Sequence, residues 1–317
     1  MTSLSERVLN GDRNSVSKAI SIVEIGELDY SSLIRELYPN TGRAHIVGVT
    51  GPLGTGKSSL VDQLVKRYRE KGSRVAVLAV DPSSPLTGGA ILGDRVRMLE
   101  HSLDPGVYIR SMASRGDEGG LSRATNDAVI VLDAAGFDLV FVETVGIGQT
   151  EVEVVDVADT VIIVLMPELG DEIQAAKAGL VEIGDIFAIN KSDLPGADRV
   201  LYNLGSALSA KESGWNQVAI KVSVKSSEGL SELIGAIEKH AAFFKEPGKS
   251  SFVRTKRLAR ELSRRIENIV VANLAVSLSN SEEFSSLLEK LVRKEIDPDT
   301  AAREIAQKYL PVKNDPK

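Results

Sequence analysis

A glycine-rich segment at residues 51–58, Gly-Pro-Leu-Gly-Thr-Gly-Lys-Ser, matches the phosphate-loop pattern G-x-x-x-x-G-K-[ST]. Glycines let backbone N–H groups close around a phosphate, and the helix that begins next adds partial positive charge. Lys57 is expected to contact the β- and γ-phosphates of a nucleotide, and the Ser58 hydroxyl to contact Mg²⁺. The pattern therefore predicts a nucleotide site that includes Gly51, Leu53, Gly54, Thr55, Gly56, Lys57, Ser58 and Ser59.

A second motif, Asn190-Lys191-Ser192-Asp193, follows an apolar run and matches the pattern N-K-x-D. Guanine presents two adjacent donors, N1–H and N2–H₂, and an ionised aspartate accepts from both, whereas adenine offers an acceptor at N1. An isolated tetrapeptide of this kind is common as a polar turn, but on a strand end downstream of a phosphate loop it predicts a guanine site. The predicted nucleotide contacts are Asn190, Lys191 and Asp193, with Ser223, Val224 and Lys225 at the end of the last predicted strand.

Acidic residues follow several of the predicted strands and are candidates for a metal site. Asp81 and Glu143 each end a strand, and Asp94 lies in the loop after a Gly-Gly pair. Mg²⁺ takes octahedral oxygen ligands and usually only one or two carboxylates besides phosphate and water. Ser58, Asp81, Asp94 and Glu143 exceed that number, so some of them are expected to act through water. A simple strand-end cap remains the alternative for each, above all for Asp94. Catalysis is assigned to Lys57, Asp81, Asp94 and Glu143.

The segment Glu143-Thr144-Val145-Gly146 looks like the D-x-x-G switch of nucleotide hydrolases, with Glu in place of Asp. The Gly146 amide is expected to sense the γ-phosphate. The residue that orients the attacking water is left open: Asp81, Asp94 and Gln149 are candidates, and a partner protein is a further possibility.

Alternating strand and helix patterns run from residue 44 to about 244 and predict an α/β fold with a doubly wound, mainly parallel sheet. Ligands bind at the carboxyl ends of such strands, where the motifs above fall. An N-terminal helical extension (1–42), a nucleotide-binding domain (43–246) and a C-terminal helical region (247–317) are predicted, with a linker at 246–250. The apolar stripes beyond residue 250 predict an isologous dimer. The predicted strands are 44–50, 74–80, 107–112, 138–144, 160–166, 186–190 and 217–224.

The composition excludes several kinds of chemistry. The 317 residues include no cysteine, which rules out disulfides, thiolate metal sites and cysteine nucleophiles, and three histidines lie far apart. The net charge of -6 and the absence of a basic domain argue against a nucleic-acid partner. No apolar run is long enough to cross a membrane and no signal-peptide pattern occurs, so a cytoplasmic protein without a membrane partner is expected.

Together the motifs resemble one family, the MeaB/ArgK-like GTPases of the SIMIBI class, which are G-proteins associated with methylmalonyl-CoA mutase. The similarity runs over nearly the whole chain. Two departures are the position of Pro52 in the phosphate loop and Glu168-Leu169 where the family usually carries a small residue and glycine. The segments that carry the resemblance are 51–59, 79–84, 87–95, 143–151, 170–174, 190–193 and 297–302.

The resemblance implies a GTP-hydrolysing chaperone that gates adenosylcobalamin delivery to methylmalonyl-CoA mutase, or a related acyl-CoA mutase, and protects that enzyme. It implies a homodimer formed through the C-terminal helices, Mg²⁺ with GTP or GDP, and no cobalamin on this chain. Asp81, Asp94 and Glu143 match the family's magnesium and switch positions. Lys177 matches a lysine that couples the nucleotide state to the mutase, and Gln149, Asp171 and Glu172 are assigned to the same coupling.

Three other functions agree less well with the sequence. A metal-insertion GTPase of the same class would need Cys or His ligands near the nucleotide, and these are lacking. A small-molecule kinase, the transport-system kinase of older labels, would need an acceptor pocket and a catalytic base that the sequence does not single out. A catalytically dead scaffold is disfavoured because Lys57, Ser58 and Glu143 are all present.

Overall fold

The computed structural model describes residues 2–26, 30–81, 101, 103–113, 123–144, 154–167, 179–246, 249–279 and 281–309. The chain forms two compact units, Met1–Arg257 and Leu258–Lys317. The division between them falls inside one long helix. The domain bounds expected from the sequence stay a prediction.

A seven-stranded sheet lies at the centre of the first unit, with the strand order β3-β2-β4-β1-β5-β6-β7. All neighbouring strands pair in parallel, which confirms the doubly wound α/β fold. β1 lies between β4 and β5, so the chain reverses its direction of winding at β1. The strands are β1 His45–Thr50, β2 Val75–Asp81, β3 Val107–Ala113, β4 Leu139–Thr144, β5 Thr160–Leu165, β6 Ile186–Ile189 and β7 Val218–Lys221.

Helices cover both faces of this sheet, which explains why strands such as β5 are buried along their whole length. The helices of the first unit are α1 Leu4–Leu9, α2 Arg13–Ile25, α3 Tyr30–Leu37, α4 Lys57–Glu70, α5 Arg123–Ala134, α6 Ala197–Gly205 and α7 Leu230–Lys245. Short 3-10 turns occur at Tyr38–Asn40 and Val154–Asp156, and residues 179–183 are helical. The long helix α8, Lys249–Ser279, begins in the first unit and continues into the second.

Each face of the sheet has its own apolar core. Val47 and Val49 of β1 pack with Phe141 of β4 and with Leu60 and Leu64 of α4. On the opposite face, buried residues of α1, α2, α3 and α5 form one cluster with alternate residues of the same strands, among them Val8, Ile20, Leu37, Val131, Val140 and Val142. The N-terminal helices therefore belong to the main core of the first unit.

Aspartates hold the beginnings of three strands by accepting backbone N–H groups. Asp133 accepts from the three residues before β1, at 2.5, 3.1 and 2.9 Å, and Asp159 accepts from Ile46 at 2.9 Å. Asp138 accepts from the residue before β2 at 2.7 Å, and Asp185 accepts from Val161 of β5 at 2.8 Å. These bonds fix the amino-terminal ends of the strands, on the side of the sheet opposite the predicted ligand site.

The second unit contains the rest of α8 with α9 Glu282–Val292 and α10 Pro298–Tyr309. Its core consists of Leu287, Ala301 and Ile305, and Leu274 and Leu278 of α8 pack against it. Pro298 occupies the first position of α10, where the missing N–H of proline costs no intrahelical hydrogen bond.

The predicted linker at 246–250 is partly wrong, because Lys249 and Ser250 already belong to α8. A Pro-Gly pair directly precedes Lys249 and indicates a turn, so the start of the helix was not recognised from the sequence. Within the described part of the chain, no helix combines the length and apolar character needed to cross a bilayer.

Candidate nucleotide-binding site

The phosphate loop connects the carboxyl end of β1 to the first turn of α4. Because β1 lies between β4 and β5, the loop sits where the winding of the sheet reverses, which is the usual ligand position in such folds. Thr50 ends β1 and Lys57 begins α4, so all glycines of the motif fall in the loop itself.

Two glycines of the loop are required by its conformation. Gly51 has φ +135°, and a Cβ there would lie 2.2 Å from the Val164 carbonyl oxygen of β5. Gly56 has φ +87°, and a Cβ there would lie 2.5 Å from Nδ2 of Asn190. The first glycine lets the loop pass close to β5, and the second lets it meet the predicted guanine motif.

Lys57 extends back across the loop that precedes it. Its ammonium group donates to the carbonyl oxygens of Gly51 at 2.7 Å and Pro52 at 3.1 Å, and the side chain is buried. The Thr55 hydroxyl donates to the same Pro52 carbonyl at 2.9 Å, which closes the turn. The loop is thus closed around the ammonium group of Lys57.

Ser58 and Glu143 meet directly beside the phosphate loop. The Ser58 hydroxyl donates to Oε1 of Glu143 at 2.6 Å, and both residues are buried. A hydroxyl and a carboxylate are the hard oxygen donors that Mg²⁺ takes from proteins, so these two residues fit the predicted ion. Asp81 ends β2, whose Val80 pairs with Thr144 of β4, so its backbone is adjacent to the Glu143 end of the sheet.

The rest of the predicted metal set is not placed. The Asp81 side chain and the whole of Asp94 lie outside the described residues. Among the residues that are described, no group of three or more His, Asp or Glu side chains forms a metal cluster. The assignment of these two aspartates to Mg²⁺ therefore stays a prediction.

Asn190 joins the predicted guanine motif to the phosphate loop. Its side-chain Nδ2 donates to the Thr55 carbonyl at 2.8 Å, and its backbone N–H donates to Leu165 of β5 at 2.8 Å. The next residue, Lys191, adopts the left-handed conformation with φ +57°, which turns the chain sharply after β6. The two motifs, far apart in sequence, are therefore in direct contact.

Asp193 is held by Ser223, which lies just beyond the end of β7. Oγ of the fully buried Ser223 donates to Oδ1 of the exposed Asp193 at 2.8 Å. This hydrogen bond is the main cause that lowers the pKa of the Asp193 carboxyl below its ordinary value, and Lys225 adds a smaller lowering. Asp193 is therefore kept ionised, as acceptance of two guanine donors requires. Val224 follows Ser223, and its N–H lies 3.5 Å from Oδ1 of Asn190.

Several predicted residues lie elsewhere or outside the described residues. Leu53 and Gly54 are exposed at the tip of the phosphate loop, and Ser59 is half-buried in α4. The predicted switch and coupling residues Gly146, Gln149, Asp171, Glu172 and Lys177 lie outside the described part of the chain.

A further pair beside the phosphate loop was missed from sequence. The Thr144 hydroxyl donates to the Thr50 hydroxyl at 2.8 Å, and both side chains are buried. Each threonine ends the strand that leads into a motif. That shared position marks each threonine in the sequence, but their contact depends on the register of β1 against β4.

The fold and the site define a nucleotide-binding protein of the P-loop class with a guanine-type base motif. The sequence profile of the family described as Methylmalonyl Co-A mutase-associated GTPase MeaB matches residues 16–279. The chain belongs to this family of GTPases.

Similar proteins cover almost the full length of the chain. A protein of Pyrococcus horikoshii named as a GTPase is 47% identical over 312 residues, covering 97% of this chain and 98% of its own. GTPase ArgK of Escherichia coli is 30% identical over 311 residues, which are 95% of this chain and 94% of the length of ArgK.

A mouse protein named methylmalonic aciduria type A homolog, mitochondrial, is 40% identical over 193 residues, which are 59% of this chain and 46% of its own length. The solved structure of a protein named LAO/AO transport system kinase has 25% sequence identity and a TM-score of 0.70, covering 96% of this chain and 95% of its own.

Proposed function

We propose that this GTPase is a cytoplasmic, Mg²⁺-dependent chaperone that uses GTP hydrolysis to gate adenosylcobalamin delivery to methylmalonyl-CoA mutase or a related acyl-CoA mutase. The observation that carries the hydrolytic part is the 2.6 Å contact between Ser58 and Glu143 beside the buried Lys57. The link to a mutase is supported by the description of the family and by the name of the mouse relative.

In this proposal each described residue at the carboxyl ends of the strands has a separate role. Lys57 neutralises charge on the β- and γ-phosphates, and Asp193 accepts from N1–H and N2–H₂ of guanine. Ser58 and Glu143 hold Mg²⁺, with Asp81 and Asp94 contributing directly or through water. When bound, the ion neutralises charge on the phosphate oxygens.

The coupling to the partner is proposed to run through the segment that continues from β4. Gly146 would sense the γ-phosphate, and Gln149, Asp171, Glu172 and Lys177 would pass the nucleotide state to the mutase. Cobalamin would be held by the partner, because this sequence has no D-x-H-x-x-G cobalt-ligand motif. Submicromolar binding of adenosylcobalamin to the isolated protein would contradict that part.

A reconstituted assay tests the chaperone function. Purified methylmalonyl-CoA mutase is incubated with adenosylcobalamin, and cofactor loading and loss of activity during turnover are measured with and without this protein. We expect loading to depend on whether GTP, GDP or a non-hydrolysable GTP analogue is present, and inactivation to slow down. The Lys57→Ala variant serves as control and should lose the difference between nucleotides. If cofactor loading and the rate of mutase inactivation are the same with and without this protein, and with every nucleotide, the proposal is rejected for this mutase.

The exposed apolar residues of the second unit support a homodimer. Leu262, Ile266 and Ile269 recur at helical spacing along α8 and are between 52% and 60% exposed. Single exposed apolar side chains are ordinary, but a stripe of them marks an interaction surface. A two-fold dimer through this surface is the commonest symmetric arrangement.

Light scattering at micromolar concentration tests the dimer. We expect the wild type at twice the mass of one chain and Ile266→Glu at the mass of a monomer. Asn268→Glu, an exposed change on another face of α8, is the matched control and should stay dimeric. A monomeric wild type would reject this part.

A small-molecule kinase is the second candidate, favoured by the name of the structural relative that covers nearly the whole chain, LAO/AO transport system kinase. It predicts phosphate transfer to an amino acid such as arginine or ornithine. Mass spectrometry of these amino acids after incubation with GTP or ATP separates the two functions.

A further inference from the structure

The hydrogen bond between Thr144 and Thr50 connects two parts of the site that are 94 residues apart in sequence. Thr50 is the last residue of β1 and directly precedes Gly51 of the phosphate loop. Thr144 is the last residue of β4 and directly follows Glu143. The two side chains are 0% and 2% exposed. The bond therefore links the start of the phosphate loop to the start of the predicted switch segment.

The end of β4 is held from both faces of the sheet. Glu143 contacts Ser58 of α4, on one face. Thr144 is the next residue along the strand, so its side chain points to the opposite face, where it contacts Thr50. Two consecutive residues of β4 thus bond to the two ends of the phosphate loop, one before Gly51 and one after Lys57.

The hydrogen bond between Thr50 and Thr144 extends the pairing of β1 with β4. The register of β1 against β4 runs from His45 opposite Leu139 to Val49 opposite Glu143. The threonines follow this last pair, so their hydroxyls extend the contact between the strands by one residue. Valine has nearly the same shape as threonine and carries no hydroxyl to desolvate. Packing alone therefore gives no reason for two hydroxyls at this place.

We infer that Thr50 and Thr144 are positioning residues for GTP hydrolysis, because their hydrogen bond sets the end of β4 against the phosphate loop and so directs Glu143 toward Ser58. The inference rests on the proposed function. Neither hydroxyl touches the nucleotide in this scheme. The pair acts on the rate of the chemical step and leaves the contacts of Lys57 and Asp193 with GTP intact.

The test compares kcat, KM for GTP and the dissociation constant of GDP in single and double variants. For Thr144→Val we expect kcat to fall about five- to tenfold, since one hydrogen bond contributes about 1 kcal/mol and about 1.4 kcal/mol changes a rate tenfold. KM and GDP affinity should stay within about twofold of wild type, the pattern of an interaction that acts on the chemical step. Thr144→Ser keeps the hydroxyl and should restore most of kcat.

A double-mutant cycle asks whether the two hydroxyls act as one bond. Thr50→Val should lower kcat as Thr144→Val does, and the double variant should lose no more than either single variant. Thr125→Val is the matched control, because Thr125 is fully buried in α5 and its hydroxyl has no hydrogen-bond partner among the described residues. Its kcat should equal that of wild type.

The outcomes separate this inference from the proposed function. Wild-type protein that does not hydrolyse GTP would reject the proposed function itself. Normal wild-type hydrolysis with unchanged kcat in both valine variants, additive losses in the double variant, or a rise in KM alone would overturn only the role of the threonines. If Thr144→Val fails to fold, the Thr50→Val/Thr144→Val protein, which leaves no hydroxyl of this pair unpaired, replaces it in the comparison with wild type.

Discussion

Oγ of Ser223 lies 2.8 Å from Oδ1 of Asp193 and donates a hydrogen bond to it. Ser223 is buried just beyond the end of β7, and Asp193 is exposed beyond the end of β6. The bond therefore fixes one oxygen of an exposed carboxylate from inside the protein. A bidentate acceptor for guanine needs this combination of a fixed direction and access for the base.

Exchange of Asp193 for asparagine should change the base that is bound. Hydrogen bonds to charged groups contribute about 1.5–3 kcal/mol each, so loss of the pair should weaken GTP about a hundredfold or more. Asp193→Asn places an NH₂ donor toward the 2-oxo group of xanthine and should bind XTP better than GTP. Calorimetry with GTP, XTP and ATP measures this. Unchanged GTP affinity in the variant, or preference of the wild type for ATP, would remove the basis for the guanine site.

Removal of the Ser223 hydroxyl should weaken guanine binding without changing its specificity. In Ser223→Ala the carboxylate loses its fixed direction and the pKa of Asp193 rises toward its ordinary value, because the Ser223 hydrogen bond is the main cause of the lowering. Loss of one hydrogen bond should reduce GTP affinity about tenfold, with GTP still preferred over XTP and ATP. Ser206→Ala, at the exposed end of α6, is the control. Equal GTP affinity in Ser223→Ala and wild type would contradict the positioning role of Ser223.

Replacement of Lys57 by alanine should nearly abolish GTP hydrolysis. The variant loses the cation predicted at the β- and γ-phosphates, and removal of one such electrostatic contact costs about a hundredfold or more in kcat. The rate of phosphate release at saturating GTP is the measurement. Lys71→Ala, at the other end of α4, is a control that removes an exposed lysine and should hydrolyse GTP normally. Unchanged turnover in Lys57→Ala would reject the phosphate-loop assignment.

Alanine at Gly51 should destabilise the protein, since its Cβ would lie 2.2 Å from a β5 carbonyl at a φ of +135°. The strained conformation and the overpacking together should cost about 2–5 kcal/mol of unfolding free energy. Gly72→Ala is the matched control: φ is +85° there, but nothing lies within 4 Å of the added Cβ. Urea unfolding should show a smaller loss for Gly72→Ala. Equal losses in the two variants would mean that the close approach to β5 does not matter.

The folded protein should lose stability between about pH 6.5 and pH 4 because of His240. Burial is the main cause that lowers its pKa to about 4, against 6.5 for the unperturbed group. Asp185 and Asp159 oppose this lowering, whereas His45 and Lys211 add to it. Because the unfolded state binds the proton at higher pH than the folded state, the contribution of neutral His240 to stability is fully present above about pH 6.5. As the pH falls below 6.5, the free energy of unfolding decreases by up to about 1.4 kcal/mol per pH unit, until the folded state also binds the proton near pH 4.

Urea unfolding at several pH values measures this effect. Trp215, the only tryptophan of the chain, has its ring centroid 4.5 Å from that of His240 and reports unfolding by fluorescence. His240→Gln removes the titrating group and should make the loss of stability below pH 6.5 shallower than in wild type. Some slope should remain, since burial also lowers the pKa of His45. Identical slopes in variant and wild type would exclude His240 as the cause.

The sequence predicted the strands of the sheet better than their contacts. β5 is a continuous apolar run, and its observed bounds of Thr160–Leu165 lie within one residue of the prediction. Local patterns of this kind depend only on neighbours in the chain. The bond between Thr50 and Thr144 depends instead on the register of two strands that are distant in sequence, and no local pattern contains that register.

The predicted site shows the same limit. The phosphate loop and the guanine motif could be found because their residue types and spacing follow from the ligand. The hydrogen bond from Ser223 to Asp193 could not be found in this way, because it joins two segments 30 residues apart and no local pattern contains it. The start of α8 was missed at Lys249 because a Pro-Gly pair directly precedes it and indicates a turn.

Because of the aspartates at the strand starts, the amino-terminal and carboxyl-terminal ends of the strands should differ in their rates of hydrogen–deuterium exchange. Amides before β1 bond to Asp133, and the amide of Val161 bonds to Asp185, whatever ligand is present. The amides of the phosphate loop would gain hydrogen-bond partners from a bound nucleotide. Local opening should therefore begin at the carboxyl ends of the strands in the free protein. The amides at the amino-terminal ends should stay protected from exchange until the whole unit unfolds.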